Sequence, residues 1–171
     1  MTSLLICMAL IPPLRMLADR FHFMDQPGER KVHQHPVPRV GGIAFAIGAC
    51  VSIAWWAPKN ITTLSVLLGG LIILGFGVWD DRVNLGYRIK LTGQVLAALA
   101  VILIGGIRFE SIPFLLDAEL PLWVSIPVTV LFLAAVSNAV NLTDGLDGLA
   151  GGLSFLTLGG IAYLAHLSND S

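Results

Sequence analysis

Asn138, Asn141, Asp144 and Asp147 recur at every third position of the stretch NAVNLTDGLDGLAGG, which lies between two apolar runs. On a helix, residues three apart are neighbours, so the four form a slowly turning polar stripe. Asparagine offers amide donors and a carbonyl acceptor, and aspartate offers acceptors only. Gly145, Gly148, Gly151 and Gly152 let the backbone bend or approach a ligand closely. Such a set can hold a metal ion, a diphosphate or a nucleobase. A plainer account is a helix–loop–helix turn in which Asp144 or Asp147 caps the next helix. That explains one carboxylate, not the stripe.

A second cluster lies in FGVWDDRVNLGYRIKLTGQ, where Asp80 and Asp81 directly follow an apolar run. Adjacent like charges near hydrocarbon need a cation, a proton or solvent. A hard divalent ion such as Mg²⁺ meets that need, and it typically takes one or two carboxylates plus substrate phosphates. Lys90 opens the next apolar run and can reach back as a phosphate-binding cation; the plainer account is an ordinary charged loop end. A third cluster is DQPGERKVHQHPVPRVGG. Pro27, Gly28, Pro36 and Pro38 mark an irregular loop. Arg30, Lys31, His33, His35 and Arg39 give that loop a positive face suited to anionic headgroups or phosphates, or simply to water. His33 and His35 alone are a poor metal motif.

The elements that carry these clusters are apolar. Of 171 residues, 56% are hydrophobic and only 12% charged, and mean hydropathy is +0.82. A soluble domain usually carries about twice that charge. The composition therefore implies an integral membrane protein, and a net charge of −1 gives no ground for a nucleic-acid partner. Cys7 and Cys50 both fall in apolar stretches and read as packing residues rather than a disulfide.

A spanning helix needs roughly 20 mostly apolar residues. Stretches 40–57, 61–79, 91–107, 121–140 and 149–167 qualify, and none contains Asp, Glu, Lys or Arg. Stretch 2–18 is weaker, with Pro12, Pro13 and Arg15, and reads as a kinked or shortened first span. The fold expected is all-α: a polytopic membrane protein of five to six transmembrane helices in a single membrane domain, 1–171. Arg15, Arg20, Arg30, Lys31, Arg39, Arg82, Arg88 and Lys90 fall on one side of these spans, and only Lys59 and Arg108 on the other. Positive charge stays cytoplasmic. The N-terminus is then outside, and segments 19–39, 80–90 and 141–148 face the cytoplasm. Glycines in or beside the spans read as close helix packing.

Carboxylates, amides and basic groups gathered at the inner membrane surface suit phosphoryl transfer, which needs mainly positioning and charge neutralisation. One substrate would be a soluble nucleotide compound, the other a lipid phosphate with its head at that depth. A cation transporter would hold its ionisable groups nearer the bilayer midplane, whereas here the carboxylates lie at or beyond span ends. A non-catalytic membrane subunit is the other alternative.

RKVHQHPVPRVGGIAF, GVWDDRVNLGYRIKLTGQ and NAVNLTDGLDGLAGG, in this order and spacing, resemble the polyprenyl-phosphate N-acetylhexosamine-1-phosphate transferases. The resemblance covers nearly the whole chain. It is nearest to the bacterial branch that joins UDP-N-acetylglucosamine to undecaprenyl phosphate. It implies a helical enzyme of the bacterial inner membrane, with its site facing the cytoplasm and Mg²⁺ as cofactor, Mn²⁺ being an alternative. Its partners would be UDP-N-acetylhexosamine, undecaprenyl phosphate and the lipid bilayer, and a homodimer is compatible with it. The products would be UMP and a lipid-linked diphospho-sugar, the first intermediate of an envelope glycan such as the O-antigen of lipopolysaccharide.

By the same resemblance, Asp80 and Asp81 match the family's paired aspartates, one of which deprotonates or orients the lipid phosphate. Asp80 is favoured as base, although a phosphate monoester is already largely ionised near neutral pH. Asp80, Asp81 and Asn141 would hold the metal, and Lys90 would face the diphosphate. Asp144 and Asp147 match a second acidic pair with catalytic roles, supported by Asn138. Arg30, Lys31 and His33 fall in the family's first inner loop, as substrate-binding residues. Family members have roughly twice as many spans, with a further metal-binding aspartate and a His-rich loop in the later half. The expectation is an N-terminal half that is inactive, or nearly so, by itself.

Overall fold

The computed structural model describes residues 1–21, 24–25, 37–38, 40–111, 119–143 and 149–169. Six helices follow one another: α1 (Thr2–Phe21), α2 (Gly41–Trp56), α3 (Ile61–Val83), α4 (Tyr87–Gly105), α5 (Leu122–Thr143) and α6 (Leu149–Asn169). Between α1 and α2, β1 (Met24–Asp25) and β2 (Val37–Pro38) pair antiparallel, Met24 opposite Pro38 and Asp25 opposite Val37. Among the described residues four helices, α3 to α6, are long and apolar enough to cross a membrane, and α1 and α2 contain shorter apolar segments. The chain is an all-α polytopic membrane protein.

At the end that carries Asp80 and Asp81, α3 outruns its apolar stretch. α3 continues four residues beyond Trp79, to Val83, so Asp80 and Asp81 belong to its last turn and not to a loop. α4 begins at Tyr87, and only Asn84–Gly86 connect the two. Asn84 makes this short turn feasible. It adopts φ 50° at the C-cap of α3, and its N–H donates to the Asp80 carbonyl at 2.8 Å. Asparagine is one of the few side chains that visit this left-handed region readily. At the start of α3, the Asn60 side chain accepts from the Thr63 N–H at 2.8 Å and caps the helix.

The chain divides into two compact units, Met1–Val130 and Leu131–Ser171. In the first, the helices run antiparallel and approach closely at small residues, as expected where lipid removes the hydrophobic drive between helices. Gly69 of α3 lies against the Ala97 carbonyl and Val101, Gly93 of α4 against the Phe76 ring, and Gly105 against Ser65. Gly48 of α2 lies against Ser3 and Cys7 of α1, and the Trp56 indole donates to Thr2 Oγ1 at 3.2 Å. The close-packing reading of the glycines holds for Gly69 and Gly105 but not for all: a Cβ added at Gly75, Gly77, Gly151, Gly152, Gly159 or Gly160 would meet nothing within 4 Å. Cys7 and Cys50 are free thiols.

A buried polar clasp joins the end of α4 to the start of α5. The Phe109 N–H donates to Thr129 Oγ1 at 3.0 Å, Ser125 Oγ donates to the Phe109 carbonyl at 2.5 Å, and Thr129 Oγ1 donates to the Ser125 carbonyl at 2.7 Å. Ser125 and Thr129 are both buried. In the second unit, the end of α5 and the start of α6 enclose a small cleft with Thr143, Ser154 and Thr157 on its walls.

Candidate functional site

The antiparallel order of α1 to α4 brings the start of α2 and the α3–α4 turn to one end of the first unit. There Asp80 is held from three directions. Its Oδ2 lies 2.7 Å from Lys90 Nζ. Its Oδ1 accepts the Leu85 N–H at 2.8 Å. Its main-chain carbonyl accepts the Asn84 N–H. Lys90 sits in the first turn of α4, so the ion pair bridges the connection between the two helices. The side chains are 27% exposed for Asp80 and 44% for Lys90. A pair this open contributes at most about 1 kcal/mol to stability, so its main consequence is geometric.

Successive residues on a helix point about 100° apart. Asp80 turns to α4, and Asp81 lines a groove between α2 and α3 that begins at Gly42 and Ile43. Both carboxylates sit at the C-terminal end of α3, where the helix dipole is negative and disfavours anions. Arg82 in the same turn and Lys90 beyond it offset that charge. Two carboxylates kept at such a pole suit a site that takes up a further cation. Oxygen-rich donors of this kind fit Mg²⁺, which needs few protein ligands. Among the described residues no three His, Cys, Asp or Glu side chains come together, so any hard cation held here would rely on water or substrate oxygens as well.

Asn138 and Asn141 lie on the last two turns of α5 in the second unit. The polar stripe is therefore helical over its first half. The Asn138 amide donates to the Ala134 carbonyl of its own helix at 2.9 Å, and Asn141 is exposed. Asp144 and Asp147, like Arg30, Lys31 and His33, lie outside the described residues.

Two features escaped the sequence reading. One is Asn84, whose left-handed cap sets the α3–α4 turn; the Asn-Leu-Gly that ends the helix was a usable signal. The other is the α2–α3 groove, which no local pattern announces. Beside the turn, Arg88 Nε donates to the Tyr87 hydroxyl at 3.0 Å, with the guanidinium 5.7 Å from that ring's centroid.

Residues 63–171 match the model of glycosyl transferase family 4. The chain is 36% identical over 167 residues to a probable undecaprenyl-phosphate N-acetylglucosaminyl 1-phosphate transferase of Bacillus subtilis, covering 95% of this chain and 46% of the relative. It is 34% identical over 157 residues to a decaprenyl-phosphate N-acetylglucosaminephosphotransferase of Mycobacterium tuberculosis, covering 85% and 39%. It is 35% identical over 167 residues to a phospho-N-acetylmuramoyl-pentapeptide-transferase of Chlorobium phaeobacteroides, covering 86% and 45%. The chain thus spans less than half the length of each of these relatives. The family match takes in both Asp80–Lys90 and the Asn138–Asp147 stripe, and this helical membrane protein belongs to glycosyl transferase family 4.

Proposed function

We propose that the Asp80 end of this chain forms part of a site that transfers N-acetylhexosamine 1-phosphate, in the first place N-acetylglucosamine 1-phosphate, from a UDP-sugar to undecaprenyl phosphate. The observation that carries the reading is the meeting of Asp80, Asp81 and Lys90 at one end of spanning helices, in a chain whose relatives are named for this transfer. In the reaction, an oxygen of the lipid phosphate attacks the sugar-bearing phosphorus of the UDP-sugar. A new phosphorus–oxygen bond forms, the bond between the two phosphates breaks, and UMP leaves with the electron pair.

The chain's own residues would act mainly by positioning. Asp80, fixed by the Leu85 N–H, holds Lys90 at the end of the pair of helices, where its ammonium meets incoming phosphate oxygens. Asp81 lines the end of the α2–α3 groove, and a carboxylate there would orient a lipid phosphate through a shared cation or proton. Asp80 and Asp81 would hold Mg²⁺, whose charge, when bound, neutralises the diphosphate. Asn138, Asn141, Asp144 and Asp147, with Arg30, Lys31 and His33, enter the reading by their motifs. The same reading puts the Asp80 end at the cytoplasmic face of the bacterial inner membrane, following its excess of basic residues.

The test is a chimaera in which residues 1–171 replace the matching part of the Bacillus subtilis relative, assayed with UDP-N-acetylglucosamine and undecaprenyl phosphate. Transfer is expected, with loss in Asp80→Asn, Asp81→Asn and Asp144→Asn forms that still accumulate in the membrane. Full transfer by all three variants would refute the reading.

A further inference from the structure

Asn84 stands where the hand of one residue decides what the Asp80 carboxylate does. Among the described residues it is the one non-glycine residue at positive φ, and with φ 50° and ψ 71° it closes α3. In a helix ending of this kind a single main-chain bond returns from the left-handed residue to the helix. Here it runs from the Asn84 N–H to the Asp80 carbonyl at 2.8 Å. The next N–H, that of Leu85, donates to Asp80 Oδ1 at 2.8 Å. One backbone turn therefore grips Asp80 twice, by its main chain and by its side chain. With Oδ1 taken by the turn, Oδ2 is the oxygen that meets Lys90 Nζ, at 2.7 Å. Were Asn84 right-handed, α3 would run on. The Leu85 N–H would then point to the Asp81 carbonyl, four residues back, and would release Asp80 Oδ1.

We propose that Asn84 is a positioning residue for the transfer: its left-handed backbone fixes the Asp80 carboxylate and, through it, holds the Lys90 ammonium where phosphate oxygens arrive. The role rests on the transferase reading for the reaction it serves, and on the turn alone for its geometry. A lysine on a flexible stem, 44% exposed, needs such a fixed partner to keep one position. What position 84 requires is a conformation, not an amide side chain. Gly106, φ 70°, closes α4 in the same left-handed region, which glycine enters at no steric cost. Asparagine tolerates that region, alanine less so, and a β-branched residue is an outlier in it. Asn84 is exposed, so a substitution there acts on the turn and not on a packed interior.

The test places Asn84→Gly, Asn84→Ala and Asn84→Val in the chimaera and in the chain itself. Transfer from UDP-N-acetylglucosamine to undecaprenyl phosphate is measured per molecule of folded protein. In Asn84→Gly kcat should be unchanged. In Asn84→Val it should fall about tenfold, the population a residue forfeits on entering the left-handed region, with Asn84→Ala between. Where Asn84→Val does not accumulate, the order of Asn84→Gly and Asn84→Ala decides. Thr129→Val loosens the same unit at the α4–α5 joint and should leave kcat unchanged, which separates positioning from loss of stability. On a Lys90→Gln background, Asn84→Val should cost less than about twofold more, because the cation it positions is gone. Equal rates in all three Asn84 variants, loss of transfer in Asn84→Gly, or the full cost without Lys90 overturns the proposal. Amide exchange in the chain itself reads the turn without any reaction. Asp80→Ala should quicken exchange at Leu85 about tenfold, the worth of a hydrogen bond to a charged group, in the parent and in Asn84→Gly. It should have little effect in Asn84→Val. That pattern beside an inactive parent chimaera sinks the transfer reading and leaves the hold on Asp80 standing; an active chimaera without the pattern sinks the proposal alone.

Discussion

Asp80 turns to Lys90 across the α3–α4 turn, Oδ2 to Nζ 2.7 Å, while its neighbour Asp81 lines the groove between α3 and α2. The two adjacent carboxylates thus have different neighbours at one end of α3. One carboxylate fastens the helix junction and holds a cation in place. The other meets the membrane-facing groove. The two should therefore respond differently to substitution.

Asp80→Ala removes the acceptor of the Leu85 N–H and the partner of Lys90 together. It should lower stability by about 1–2 kcal/mol, the loss of a capping-type hydrogen bond and a partly exposed ion pair. Asp80→Asn keeps an acceptor oxygen for Leu85 and should recover most of that loss. Asp81→Asn leaves both of those contacts in place. Thermal unfolding in detergent checks the order of the two Asp80 variants, and amide exchange at Leu85 checks the division: it should quicken in Asp80→Ala and not in Asp81→Asn, and equal quickening in both would refute it.

Lys90→Gln separates position from stability. The pair is worth at most about 1 kcal/mol at this exposure, so unfolding should barely shift. Under the proposed reaction, transfer by the chimaera should nonetheless fall by two orders of magnitude or so, the scale reported by removal of one preorganised group that stabilises charge. Lys90→Arg should restore part of the rate. A variant that loses stability and activity in proportion would make Lys90 a structural residue only.

Gly93 and Phe76 test how α3 and α4 are held together. A Cβ on Gly93 would come within 2.5 Å of the Phe76 ring, and overpacking of this kind costs about 1–3 kcal/mol. Gly93→Ala should destabilise by that amount, and Phe76→Leu in the same chain should relieve part of it. Gly77→Ala, on the side of α3 that lines the groove with α2, where an added Cβ meets nothing within 4 Å, should be neutral or slightly stabilising through its gain in helix propensity. A double-mutant cycle on Gly93 and Phe76 measures the coupling.

Hydropathy made the spans legible, because a bilayer imposes a length and an apolar character that few sequences meet by accident. It did not make the helix ends legible. The apolar run stops at Trp79, yet Asp80 to Val83 stay helical, since charged residues complete a last turn readily where the chain leaves hydrocarbon. The sequence suggested Lys90 as a phosphate-binding cation at this interface; in the structure it pairs with Asp80. Which aspartate it takes depends on the rotation of α3 relative to α4, and that phase is set by Gly69, Gly93 and Gly105 contacts distant in sequence. The groove was hidden for the same reason. Gly77 and Gly69 look alike in the sequence, but one faces space and the other a neighbouring helix.

The junction of α4 and α5 shows what hydroxyls contribute inside an apolar unit. Thr129 Oγ1 accepts the Phe109 N–H while its own proton goes to the Ser125 carbonyl, and Thr129 is buried. Thr129→Val keeps the shape and removes that acceptor from the Phe109 N–H. A buried donor deprived of its partner costs about 1–3 kcal/mol, so unfolding should shift by that much. Thr129→Ser retains the hydroxyl and should recover most of it, despite the lost methyl group. Amide hydrogen exchange gives the local signature: the Phe109 amide should exchange faster in Thr129→Val, while the Asn84 amide, bonded to the Asp80 carbonyl at the other end of the unit, keeps its protection. Equal loss of protection at both amides would mean that the clasp acts on the whole unit rather than on the α4–α5 joint.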